Sequence, residues 1–167
     1  MIGDVTAAAT ATSTGERRKP ARSAHGEAWG ALTRTHSAIV GRLQEALAGA
    51  DLPPLPWYEV LATVSEAPEE RMKMGDLADA LVITRGGLTR LVDRLVKAGL
   101  LERTFCETDR RVSYATLLPA GRELLDEMRP VVVGELEVAF AARLSAAEAD
   151  ALRETLERVR VSACGGE

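Results

Sequence analysis

The feature that most constrains the fold of this chain is a change of hydrophobic period inside one stretch of about forty residues. The spacing is first that of one helix face, with apolar side chains three and four residues apart: Leu88, Leu91, Val92 and Leu95. Gly99 then supplies the residue that commonly ends a helix. β-Branched and aromatic residues follow around a polar centre, which predicts a two-stranded ribbon over residues 100–106 and 111–117.

Helical spacing predicts most of the remaining chain. A first helix is expected at roughly 27–48 and, after a proline-rich break, a second at about 56–66. "RMKM" predicts a short strand, and "GDLADAL" a brief third helix with Gly75 at its N-cap. Thr84 predicts the N-cap of a fourth helix, with its hydroxyl accepting from the amide of Gly86 or Gly87.

Two helices are expected after the ribbon. Pro119 opens a long one, with Pro130 as a site for a bend, and "SAAE" at 145–148 is a capping box for a last helix that ends near Ser162. Aromatic residues make up only 4% of the 167 residues, which favours an aliphatic helical core over a β-sandwich. The expected fold class is therefore mainly α with a small β-wing.

The charge distribution points to an anionic partner although the net charge of the chain is −4. Residues 85–111 hold seven cations and four anions, a local balance of +3, and the rest of the chain carries −7. Two short helices joined by a tight turn and followed by a ribbon form a winged helix-turn-helix, whose later helix enters the major groove of DNA. The basic segment coincides with that unit, which predicts binding to double-stranded DNA.

The two adjacent glycines in the first turn of the fourth helix call for an explanation, since each costs about 1 kcal/mol relative to Ala. Without side chains, Gly86 and Gly87 would let the amino-terminal turn approach a phosphate or base edge closely. The alternative is that helix ends simply tolerate glycine.

Particular side chains are expected to contact DNA. Arg85, Thr89 and Arg90 are the candidates for base edges and phosphates, and Thr84 and Arg94 for backbone phosphates. Arg110 and Arg111 suit a narrow minor groove. Asp109 would be repelled by DNA, so we expect it to pair with one of these two arginines and shape the wing; which arginine contacts DNA is left open, with Arg110 slightly favoured.

"MGDLADALVITRGGLTRLVDRLVKAGLLERTFCETDRRVSYATLLPAGRELL", residues 74–125, resembles the signature region of the MarR family of bacterial transcriptional regulators. The resemblance implies a homodimer with interlocking amino- and carboxy-terminal helices that binds a pseudo-palindromic operator and usually represses transcription. It also implies release from DNA by a small, often aromatic, anionic ligand or by oxidation of a sensor cysteine. Leu118, where a capping Thr is common, and Gly75, in place of Ser or Thr, depart from the pattern.

These expectations divide the chain into four parts. They are a disordered tail over 1–24, a dimerisation helix over 25–52, the winged helix-turn-helix lobe over 53–118, and carboxy-terminal dimerisation helices over 119–163.

A small-molecule effector is expected near the aromatic and histidine side chains of the first two helices: Trp29, His36, Trp57 and Tyr58. Packing in the core or at a dimer interface is the competing interpretation. Cys106 lies near cations that would lower the pKa of its thiol, although an inert thiol is favoured over a redox sensor.

Catalysis is not expected. The two histidines, His25 and His36, form no metal-ligand spacing, and no phosphate-binding glycine loop follows a strand, so neither a metal nor a cofactor is predicted. Neither a membrane span nor a secretory signal is evident, which predicts a cytoplasmic protein. Two rivals remain, a winged-helix protein-interaction module and a DNA-binding regulator that needs no ligand.

Overall fold

A computed structural model describes residues 23–105, 109 and 111–163 of the chain. The fold is mostly helical, with one small antiparallel sheet, as the sequence predicts. The helices are α1 (Ala24–Gly49), α2 (Leu55–Ser65), α3 (Met74–Ala80), α4 (Arg85–Lys97), α5 (Pro119–Ala139) and α6 (Ala146–Ala163). The strands are β1 (Arg71–Lys73), β2 (Leu101–Phe105) and β3 (Ser113–Leu117). Single 3-10 turns cover Pro68–Glu70 and Ala141–Arg143.

Helix ends follow local capping chemistry. Helix α1 begins three residues before its predicted start because the Ser23 hydroxyl accepts from the Gly26 amide at 3.2 Å. Thr84 caps α4 in the predicted way, its hydroxyl accepting from the Gly87 amide at 3.2 Å. The capping box before α6 is confirmed, since Ser145 and Glu148 exchange side-chain-to-backbone hydrogen bonds.

The expected N-cap of α3 is wrong. Lys73 occupies that position with extended backbone angles, and Gly75 lies inside the first turn. The reason is that β1 runs directly into α3, so the last strand residue also serves as the cap residue. No side chain caps this helix.

The sheet has the order β1-β3-β2, with both pairs antiparallel. The ribbon of β2 and β3 is confirmed, and each strand is slightly shorter than predicted. The short strand β1 pairs with β3, so that Met72 lies opposite Ala115. Alternate residues of β3 face the interior, and Ser113, Ala115 and Leu117 are all buried.

Helix α5 is placed directly on the base of the ribbon. The Leu118 amide, which precedes the helix, donates to the Leu100 carbonyl at 3.1 Å, and no side chain caps the helix. Three residues later, a Cβ on Gly121 would lie 2.2 Å from that same carbonyl oxygen. The helix continues through Pro130 to Ala139. Glycine at 121 is therefore what allows the backbone of α5 to lie against the ribbon.

Two apolar clusters hold the chain together. The larger one joins α2, α3, α4, the sheet and the start of α5, and the smaller one joins α1, α2 and the middle of α5. Tyr58 and Leu124 pack against both clusters. An ion pair between Arg42 and Glu135, 2.8 Å apart, adds a polar contact between α1 and α5. Helices α2, α3 and α4 and the sheet form one part of the structure, called the lobe. The long helices α1, α5 and α6 are called the scaffold.

Much of the scaffold's apolar surface is uncovered in a single chain. None of the side chains of α6 is buried. Exposed large apolar residues lie on α1, on α5 and its C-cap residue, and on α6: Trp29, Leu32, Val133, Leu136, Val138, Phe140, Val159 and Val161. Within the described ranges, no helix is both long and apolar enough to span a membrane.

Candidate nucleic-acid interface

Helix α4 separates its apolar and cationic side chains onto opposite faces. Leu88, Leu91, Val92 and Leu95 are buried in the larger cluster. Arg85, Arg90 and Arg94, predicted to contact DNA, are exposed. The buried face fixes the helix on the lobe. Arg90 and Arg94 lie on the opposite face, and Arg85 is exposed at the start of the helix.

The amino-terminal turn of α4 has no side chain beyond hydrogen at two positions, Gly86 and Gly87. Thr84 and Gly86 are exposed, and a Cβ on Gly86 would meet no atom within 4 Å. A Cβ on Gly87 would lie 3.1 Å from the Thr84 hydroxyl oxygen, a tight fit against the cap. The Thr89 hydroxyl donates to the Arg85 carbonyl at 2.9 Å, which leaves its oxygen lone pairs as acceptors. Nothing inside the protein therefore requires glycine at position 86.

The wing, meaning β2, β3 and the residues between them, carries the second group of predicted contacts. One carboxylate oxygen of Asp109 accepts from the Arg111 backbone amide at 3.0 Å and from its Nε at 3.2 Å. The Arg111 side chain remains 92% exposed. Arg110 and Cys106, on which two of the sequence hypotheses depend, lie outside the described residues.

Arg103 links the wing to α4. Its guanidinium lies 3.5 Å from the Asp93 carboxylate of α4 and 3.2 Å from the hydroxyl of Ser113 on β3. Its Nε is buried and has no hydrogen-bond partner in the described part of the chain. The same guanidinium stands 5.5 Å from the centre of the Phe105 ring. One arginine thus contacts both the wing and the middle of α4.

A cavity of about 320 Å³ lies between α4, the wing and the start of α3. Four cationic side chains line it, against the single carboxylate of Asp76: Lys73, Arg85, Arg103 and Arg111. Thr89 and Ser113 add hydroxyl groups. Excess positive charge with hydrogen-bond donors suits an anionic group.

The four residues of the expected effector site differ in location and burial, two being exposed on α1 and two half-buried on α2. Trp29, in the amino-terminal half of α1, is 67% exposed. His36, two turns further along the same helix, is also exposed. Trp57 and Tyr58 are half-buried against the lobe. Burial raises the pKa of Glu59 on α2, and the nearby His36 opposes that rise. The structure therefore places His36 near α2, and ligand binding there remains a prediction.

Several residues of this region were not found by sequence reasoning. The cavity adds Lys73, Asp76 and Arg103 to the predicted set. Arg103 and Phe105 share one side of β2, and the two-residue period of a strand would have placed them together. Gly121 looks like an ordinary helix residue, because its close neighbour, Leu100, is distant in sequence.

The family model that describes the MarR family matches residues 50–112, from the end of α1 into the wing. A solved structure, the MarR family transcriptional regulator Sco3205 from Streptomyces coelicolor in complex with DNA, superimposes with a TM-score of 0.80. It is 27% identical, and the superposition covers 87% of this chain and 92% of that one. Over residues 50–112 the chain matches the model of the MarR family, and its fold is similar to that of this DNA-bound MarR-family structure.

Two curated proteins are similar to part of this chain. The HTH-type transcriptional regulator MhqR of Bacillus subtilis is 32% identical over 87 residues, which is 52% of this chain and 59% of MhqR. The transcriptional repressor MprA of Escherichia coli is 29% identical over 102 residues, which is 61% of this chain and 57% of MprA. The chain thus spans less than two thirds of either relative. Both are named as regulators of transcription and not as enzymes, in agreement with the prediction that this protein is not an enzyme.

Proposed function

We propose that this protein is a homodimeric, sequence-specific regulator of transcription that binds double-stranded DNA. The observation that carries the proposal is that the exposed cationic side chains of α4 lie beside an exposed arginine of the wing. A helix-turn-helix and its wing present cations to DNA in this arrangement. The DNA complex of Sco3205 supports this use of the fold. We place the protein in the cytoplasm, where bacterial DNA lies.

The residues have distinct roles in this proposal. The lobe over 53–118 binds DNA, and the helices over 25–52 and 119–163 form the dimer. Phosphates and base edges are contacted from the first turns of α4 and from the wing, by Thr84, Arg85, Gly86, Gly87, Thr89, Arg90, Arg94, Arg110 and Arg111. Asp109 orients Arg111 through the two hydrogen bonds to its amide and Nε.

The uncovered apolar surface supports the homodimer. Trp29, Val138 and Val159 are each more than half exposed on three helices of the scaffold. An isolated chain would leave this area in water, and a second copy would cover it by a two-fold arrangement. Two lobes on one dimer would read half-sites about one helical turn apart on a pseudo-palindromic operator.

We further propose that the protein represses transcription and that a small organic anion releases it. MprA is named a repressor. The cationic cavity lies beside Arg85 and Thr89, so an anion bound there would compete with DNA for the same cations. Aromatic acids are the class to screen, with the Trp29, His36, Trp57 and Tyr58 region as the second candidate site.

An electrophoretic mobility shift with DNA from upstream of the gene tests the proposal. We expect retardation at low salt and a steep loss of affinity as salt rises, because cations that contact phosphates displace counterions. A scrambled DNA of the same length is the control for specificity. Absence of retardation at low salt would favour the alternative, a winged-helix module that binds a protein partner.

Sedimentation equilibrium tests the homodimer separately. We expect a mass of twice the 17.9 kDa chain at micromolar concentration. A single-chain mass would contradict the dimer. Thermal-shift screening with aromatic acids then separates a ligand-responsive regulator from a constitutive one, since a ligand that favours the native state raises its melting temperature.

Replacing Gly86 with Ala tests why the glycine is there. Helix propensity predicts a gain of about 0.5–1 kcal/mol in unfolding free energy, since the added methyl meets open space. If close approach to DNA is the reason for the glycine, the stabilised variant binds DNA at least several-fold more weakly. Urea unfolding and the mobility shift measure the two effects.

The matched control is Gly134→Ala, a second helix glycine at which an added Cβ would meet no atom of the same chain within 4 Å. It should gain similar stability and, once sedimentation equilibrium shows that it keeps the wild-type mass, bind DNA with unchanged affinity. Unchanged affinity in Gly86→Ala would show instead that the first turn merely tolerates glycine.

A further inference from the structure

Phe105 is an exposed aromatic side chain at the outer end of the wing. It is the last residue of β2, and its side chain is 58% exposed. Side chains alternate along a strand, so Phe105 shares one side of the sheet with Leu101 and Arg103. Leu101 is buried in the lobe, and Arg103 reaches Asp93 of α4. Phe105 therefore stands on the side of the wing that faces α4, beyond the edge of the packed core.

The surroundings of the Phe105 ring restrict its position. The Arg103 guanidinium lies 5.5 Å from the ring centre, within the range of a cation–π contact. Arg103 is itself fixed by Asp93 on α4 and Ser113 on β3. Ser113 is also the residue opposite Phe105 in the sheet. The exposed ring of Phe105 is thus in contact with an arginine that also contacts α4.

The charge near the Phe105 ring indicates which kind of partner binds to the ring. Arg111, at the same end of the wing, is 92% exposed. Among the wing residues that the structure describes, Phe105 is the one large apolar side chain with such exposure. Protein docking surfaces are usually contiguous apolar patches, whereas minor-groove-binding proteins combine an arginine with an isolated apolar side chain.

We propose that Phe105 packs against the deoxyribose rings that line the minor groove beside each half-site. The inference rests on the proposed DNA-binding function and adds a residue to it. The ring contributes affinity through apolar contact with the sugars, which are the same for every base. Arg111 contributes charge at the same place. The wing then holds DNA by two physically different contacts, one that depends on salt and one that does not.

The salt dependence of binding distinguishes the two contacts. Phe105→Ala should weaken DNA binding about tenfold, the effect expected for uncovering most of a phenyl ring. The slope of log affinity against log salt should not change, because no ion pair is lost. The matched control, Arg111→Ala, should reduce the magnitude of that slope by about one. Phe105→Leu, which keeps much of the apolar surface, should lose affinity about threefold at most.

Hydroxyl-radical footprinting gives a second measurement, because the radical attacks sugar hydrogens that face the minor groove. The wild-type protein should protect sugars next to each half-site, and Phe105→Ala should lose that protection while the central protection remains. Circular dichroism melting confirms that each variant is folded, and Phe105→Leu provides the test if the alanine variant is not.

The outcomes separate this inference from the proposed function. If the wild-type protein retards no DNA at low salt, both are overturned. If the wild type binds and Phe105→Ala binds equally well with the same footprint, only the role of Phe105 is overturned. A weaker variant with a reduced salt slope would mean that Phe105 acts by orienting Arg103, which also contradicts direct contact with the sugars.

Discussion

Gly121→Ala should lower the free energy of unfolding by about 3 kcal/mol, a large effect for one methyl group. The added Cβ would lie 2.2 Å from the Leu100 carbonyl oxygen and 2.9 Å from a methyl carbon of Leu117. The carbonyl cannot move aside easily, because Leu100 donates its amide to Leu95 at 3.0 Å and accepts from Leu118 at 3.1 Å. Relief would require α5 to shift away from the ribbon and open the larger apolar cluster.

Gly134→Ala in the same helix is the control for the change in helix propensity. No atom lies within 4 Å of its added methyl, so we expect a gain of about 0.5–1 kcal/mol. Urea unfolding followed by circular dichroism measures both variants. Equal stabilities for the two alanine variants would mean that α5 does not lie against the ribbon as described.

Arg85→Ala should have the largest effect on DNA binding. Arg85 begins α4, is exposed and lines the cationic cavity. An arginine in the major groove contributes about 1–3 kcal/mol of discrimination, which corresponds to a loss of about 5- to 150-fold in affinity. Specificity should also relax, so the ratio of affinities for upstream and scrambled DNA should fall. The unfolding free energy should change little, because the side chain is exposed.

Arg153→Ala, on α6, is the matched control for loss of one positive charge. Arg153 is 69% exposed and pairs with Asp150 at 3.6 Å. Fluorescence anisotropy with labelled DNA measures both variants at one salt concentration. We expect Arg153→Ala to stay within about twofold of the wild type, since a distant exposed charge is largely screened. If both variants bind like the wild type, α4 does not carry the contact.

Features set by neighbours in sequence could be predicted. The Thr84 cap, the capping box at Ser145 and the end of α4 at Gly99 each depend on residues a few positions apart. Gly99 has a positive φ of 74°, and the Leu100 amide donates back to the Leu95 carbonyl, as expected for a glycine that ends a helix.

Features set by distant residues could not be predicted. The pairing of β1 with β3 joins segments about forty residues apart. The contact between Arg103 and Asp93 depends on how the wing folds back on α4. Trp29 and Leu43 are fourteen residues apart in the sequence, the spacing of one helix face, yet Leu43 is buried and Trp29 is exposed. The pattern predicts an apolar face, and it does not say whether the same chain or another one covers it.

The close contact between Gly121 and Leu100 also determines how motion passes through the molecule. At Gly121 the helix lies close to the Leu100 carbonyl and the Leu117 side chain, so a change in the angle of α5 would press directly on the base of the ribbon. Helix α5 has 21 residues and spans roughly 30 Å. We expect a tilt of this helix to turn the wing and α4 with it. If α4 and the wing bind DNA as proposed, such a tilt would change how well they fit the grooves.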